Sequence, residues 1–168
     1  MVADLLHAGA LGATGLGTCC VALDRPRPRL RELSLSIVMF LAMLDVITGA
    51  HLVPVVGWSA VTTALAMALG ARRRRSAEPP AVSGMRVHAA IGAILMAGLM
   101  LAMSGGLVVD TGSHHGASAV SLVLLLVAAT GVYAAWSATR LRHAHLLERV
   151  QYVSMAVSLL LLAGAVAA

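Results

Sequence analysis

Lysine is missing from this 168-residue chain, and all twelve of its basic residues are arginine. That usage fits a high-GC bacterial coding sequence. Charge of either sign is scarce. Asp, Glu, Lys and Arg make up 11% of the residues, against about a quarter in a soluble domain. So few polar groups do not cover a water-facing surface, which excludes an ordinary soluble globule. Aromatic residues are rarer still, with two Trp, two Tyr and one Phe. Such a chain has no stacking platform for nucleic-acid bases, so nucleic acid is not an expected partner. The only cysteines, Cys19 and Cys20, are neighbours inside an apolar run. Adjacent cysteines bridge only under strain, and two do not make a disulfide framework. They read as small buried packing residues. The segment "LGTC" resembles a lipobox, but no Arg or Lys precedes its apolar run. The first segment is therefore expected to stay attached as a membrane helix.

What the chain has in quantity is hydrocarbon: 60% of its residues are hydrophobic and its mean hydropathy is +0.91. A helix crosses about 30 Å of hydrocarbon with roughly 17 to 25 apolar residues. Six runs qualify, at about 3–23, 34–53, 55–71, 87–109, 117–138 and 150–167. Pro54 and Gly57 divide the second run from the third, because proline lacks the amide hydrogen a continuous helix needs. The runs are too long and too unalternating for barrel strands. The expected fold is an all-α bundle of six transmembrane helices, forming one domain over residues 1–168.

Arginine placement sets the expected topology. Arg25, Arg27, Arg29 and Arg31 lie between the first two runs, and Arg72, Arg73, Arg74, Arg75 and Arg86 between the third and fourth. Arg140, Arg142 and Arg149 lie between the fifth and sixth. Every arginine thus falls on one side of a six-helix arrangement. The positive-inside rule makes that side cytoplasmic and leaves both termini outside the plasma membrane. Arg72 to Arg75 act first as a topology determinant. They also attract anionic lipid headgroups by about 1 kcal/mol each.

The three outward-running helices read "RELSLSIVMFLAM", "RVHAAIGAILMAGLM" and "ERVQYVSMAVSLL". Aligning Met39 with Met96 and Met155 gives offsets of 57 and 59 residues, about one helical hairpin plus a loop. Met43 then matches Met100, and Leu159 takes the third place. This pattern suggests three helical-hairpin repeats. On these segments the chain resembles small multi-pass membrane proteins of actinobacteria that carry repeated His/Met helices of the form "HxxMxxAMxxM". The resemblance covers roughly residues 25–168 and departs from the pattern at Ser34 and Gln151, where a histidine is expected. It implies a membrane class and no chemistry.

Asp45 falls near the middle of the second run, where a charge costs roughly 2.5 to 3.5 kcal/mol and must face protein or water. Ala42, Gly49 and Leu52 share its helical face. Two readings stand: a polar packing bond to a Thr or Ser on a neighbouring helix, or an ion or proton site. At the outer end the topology collects Asp4, His7, His51, Asp110, His114 and His115. The stripe Met96, Met100 and Met103 climbs toward the same end. Imidazole suits zinc, copper or nickel, and thioether suits copper(I). The metal candidates are therefore His7, His51, Asp110, His114, His115, Met96, Met100 and Met103. A merely polar outer rim is the bland alternative.

His88, His143 and His145 fall among arginines at the inner boundary and read as headgroup or helix-end contacts. Haem needs histidines at matching depth, and only His7 with His51 comes near that, so haem is not expected. No GxSxG, HExxH or pair of acids supports catalysis. Small-xxx-small spacings in the first run (Ala8/Gly12, Gly9/Ala13, Ala13/Gly17) and the fourth (Gly98, Ala102, Gly106) mark the expected tightest helix contacts, with Gly12 central. These contacts fall within the chain or against a second copy. The leading expectation is a non-enzymatic accessory or structural subunit of a membrane complex. Copper handling at the outer face comes second, and a proton- or ion-coupled transporter through Asp45 third.

Overall fold

A computed structural model describes residues 2–23, 30–71, 80–104 and 119–167. These residues form six helices and no strand. They are α1 (Val2–Leu23), α2 (Leu30–Thr48), α3 (Val55–Ala71), α4 (Pro80–Met103), α5 (Ala119–Arg140) and α6 (Leu146–Ala167). A single 3-10 turn, Leu141–His143, joins α5 to α6. The all-helical expectation holds. Four helices, α1, α4, α5 and α6, are long and apolar enough to cross a membrane. The other two fall short for different reasons. α2 carries Arg31, Glu32 and Asp45 within its nineteen residues. α3 has seventeen residues, about 26 Å at 1.5 Å per residue.

The boundaries differ from expectation in three informative places. α2 begins at Leu30 and stops at Thr48, where Gly49 takes a positive φ of 66°. α4 begins at Pro80, seven residues early, because proline suits a first helical turn whose amides have no partner anyway. α6 begins at Leu146, where the Glu148 carboxylate accepts the backbone N–H of His145 at 3.3 Å. That is half of a capping box and explains the early start.

Helices adjacent in the chain pack antiparallel, and α1 and α6 also pack antiparallel, the most extensive contact of all. Leu6, near the start of α1, sits by Gly164, near the end of α6, while Gly17 faces Ser154 toward the opposite ends. α4 occupies the centre and touches α2, α3, α5 and α6. The described arginines, Arg31, Arg86, Arg140, Arg142 and Arg149, all fall at one end of this arrangement. Arg86 and Glu32 pair there at 3.2 Å.

Glycine packing corrects one expectation. A methyl group at Gly12 would meet nothing within 4 Å, so Gly12 is not a contact point inside the chain. The close approaches between helices are at Gly17 on Ser154, Gly92 on Tyr133 and Met155, and Gly98 on Leu126, each leaving under 3 Å for an added methyl. Small residues do bring helices together here, as expected for packing in lipid. The faces concerned are those of Gly17 and α4. Cys20 is buried, but Cys19 is exposed, and both are free. The expected burial therefore holds for one of the two.

Candidate functional site

The Asp45 carboxylate lies in the last turn of α2 and not at its middle, because the helix ends at Thr48. From there it reaches over the α2–α3 turn. Oδ1 accepts the Leu52 N–H at 2.9 Å, while Oδ2 accepts the Val53 N–H at 3.1 Å and the Trp58 indole N–H at 2.7 Å. All three partners are donors, the pattern an acceptor-only carboxylate requires. The turn needs such a clamp. Gly49 and His51 both hold positive φ, 66° and 50°, and a left-handed residue other than glycine is uncommon. The expected bond to a neighbouring Thr or Ser is replaced by bonds within the hairpin itself. Thr48 instead returns its hydroxyl to the Leu44 carbonyl at 2.7 Å.

The same turn walls a cavity of about 620 Å³ at this end, lined by Asp4, His7, Asp45, His51, Met103 and Ser104 among others. All six of these residues carry nitrogen, oxygen or sulfur ligand atoms, from three separate parts of the chain. His7 on α1 and Met103 at the end of α4 meet directly, with Nε2 3.1 Å from Sδ. His51 is exposed at the rim and Asp4 is exposed one turn from His7. Met96 and Met100 do not reach this cavity. They are 1% and 2% exposed and pack in the hydrophobic core. The methionine stripe therefore divides, and of the three only Met103 lines this cavity. Asp110, His114 and His115, and the Arg72 to Arg75 cluster, lie outside the described residues. Among the described residues no three His, Cys, Asp or Glu side chains are grouped closely enough to hold a metal ion. A metal at the His7–Met103 pair would thus depend on the thioether.

A second polar centre lies at the arginine-bearing end, and no motif announces it. His88 on α4 is 0% exposed, not a headgroup contact. Tyr133 and Trp136 of α5 and Tyr152 of α6 surround its ring, with centroids 4.4, 5.3 and 4.4 Å away. Tyr133, Trp136, Ser137 and Arg140 recur at helical spacing, so one face of α5 presents them together. Ser137 Oγ lies 2.7 Å from His88 Nε2 and 2.8 Å from the Tyr133 carbonyl oxygen. The Tyr133 hydroxyl lies 2.8 Å from Nδ1 and 3.2 Å from the His88 carbonyl oxygen. Both ring nitrogens are engaged, and the ring has no lone pair left for a metal. Arg140 closes the group, its guanidinium 5.4 Å from the centre of the Trp136 ring.

Every Trp and Tyr in the chain is thus packed around Asp45 or His88. Among the described residues no buried side-chain nitrogen or oxygen lacks a partner. Compared with known proteins, the chain matches no family model, no curated sequence and no solved structure.

Proposed function

We propose that this chain is a non-enzymatic multi-pass protein of a bacterial plasma membrane whose outer end takes up copper(I). The observation that carries the reading is the contact between His7 Nε2 and Met103 Sδ, 3.1 Å apart, at a cavity of about 620 Å³. Imidazole and thioether are neutral ligands, and their pairing selects a soft monovalent ion over magnesium or calcium. The pair joins α1 to α4, so the cavity wall and not a single loop holds it. His51 stands at the rim on a left-handed backbone that the Asp45 clamp maintains, and strain kept at a cavity mouth is a common mark of function.

In this account six helices cross the bilayer. Arg31, Arg86, Arg140, Arg142 and Arg149 set one end at the cytoplasmic leaflet, and both termini lie outside with the cavity. α2 and α3 cross as a short pair whose charged residues fall near its ends. Asp45 is then a turn-holding residue near the outer interface, and its engagement by three donors weighs against a proton-coupled transporter. The resemblance to small actinobacterial His/Met membrane proteins agrees with this class. A second reading, an accessory subunit of a larger membrane complex, draws on the pairing of every buried side-chain nitrogen and oxygen among the described residues.

A competition titration of the purified chain with a chromophoric copper(I) chelator separates the two readings. Copper uptake reduced about tenfold or more by His7→Ala with Met103→Leu, corresponding to about 1.4 kcal/mol, supports the first. Absence of uptake by the unaltered chain leaves the accessory-subunit reading.

A further inference from the structure

A small cavity of about 20 Å³ lies between the middles of α1, α2 and α6, with α4 forming one wall. Met39, Met96 and Met155 all line it. These are the residues that align when the three outward-running segments are superimposed in sequence, and the fold brings them to one place. The remaining polar lining consists of Thr14, Thr18, Ser36, Gln151, Ser154 and Ser158.

The chemistry of this lining is set by where its protons go. Thr18 donates to the Thr14 carbonyl at 2.9 Å, and Ser154 to the Gln151 carbonyl at 3.0 Å. Thr14 and Ser158 lie 2.7 Å apart and both reach the Ala10 carbonyl, at 2.9 and 3.1 Å. With their protons taken up by α1 and α6 backbone or shared between Thr14 and Ser158, these four hydroxyls have chiefly lone pairs left to offer. Thioethers likewise offer lone pairs alone. Apart from the Gln151 amide and the Ser36 hydroxyl, the lining is rich in acceptors and poor in donors. A cavity of this size holds one water-sized occupant. No carboxylate lines it, so a divalent ion would remain uncompensated at its full charge.

We infer that Met39, Met96 and Met155 form a second site for a dehydrated soft monovalent cation, copper(I) or silver(I), halfway through the bundle. It uses none of the outer residues and stands apart from the His7–Met103 reading. Sulfur supplies the selectivity, and the hydroxyl dipoles offset part of the single charge. Without a counter-ion the site binds weakly enough to release its occupant, as a station along a membrane path must.

The test uses the full chain in detergent with methyl-labelled methionine, followed by NMR as silver(I) nitrate is added. Single Met→Leu variants, nearly volume-conserving, assign the resonances. The expected result is that the Met39, Met96 and Met155 methyl signals shift together, separately from that of Met103. The variant combining Met39→Leu, Met96→Leu and Met155→Leu then lowers silver uptake from about two equivalents to about one. If only Met103 responds, the cavity holds an ordered water and the inference fails while the outer site stands. If the three central signals respond and Met103 does not, the inference stands and the outer site fails. Because the titration is read on the unaltered chain, poor folding of the triple variant does not blur the outcome.

Discussion

The turn held by Asp45 and the enclosure around His88 solve one problem in opposite ways. Each places a polar side chain near a helix end in a bundle with little else to bond it, and each draws on the few Trp and Tyr residues available. Asp45 is bonded from within its own hairpin, by Leu52, Val53 and Trp58, and it borders an open cavity. His88 is bonded by Tyr133 and Ser137 of α5 and packed by Tyr152 of α6, with no exposure at all. The difference is between local closure that stays in reach of water and long-range closure that shuts water out. In the proposed function, chemistry with an outside ligand belongs to the first, while the second joins α4, α5 and α6.

This contrast orders the expected effects of substitution. His88→Ala should cost the most, about 3 kcal/mol, since it leaves a void among three aromatic rings and removes the ring partner of the Tyr133 and Ser137 hydroxyls. Thermal unfolding in detergent reads this directly. Asp45→Ala should cost less, about 2 kcal/mol, although it breaks three hydrogen bonds and not two. Water in the adjoining cavity can reach the freed amides of Leu52 and Val53. Should Asp45→Ala prove the more damaging of the two, the open-against-closed distinction would be wrong. Smallest of all is Gly12→Leu, which meets open space and should change unfolding by no more than about 0.5 kcal/mol. A large loss there, accompanied by a change in oligomer size, would place Gly12 in a contact between copies.

The same contrast explains what was legible in the sequence. Apolar run length and the arginine pattern depend on neighbours in the chain, and they yield six helices with every described arginine at one end. Asp45 was conspicuous for the same reason, as one acid in a hydrocarbon run. Its role was not, because a shift of five residues in the end of α2 moves it from mid-helix to a turn. His88 was missed because its partners are 45 to 49 residues away on another helix. The available signal was compositional: in a chain with two tyrosines, Tyr133 shares an α5 face with Trp136 and Ser137. The methionine stripe shows the limit of periodicity. Spacing puts Met96, Met100 and Met103 along one helix, but only the packing of α1 and α2 decides which of them is core and which faces a cavity.

The central claim is that the open end, and not the closed one, receives a metal. Copper-edge X-ray absorption on the chain loaded with less than one equivalent of copper(I) tests it most directly. The account predicts imidazole scattering alongside sulfur, lost in His7→Ala and kept in His88→Ala. Imidazole scattering that survives His7→Ala but disappears with His88→Ala would contradict it.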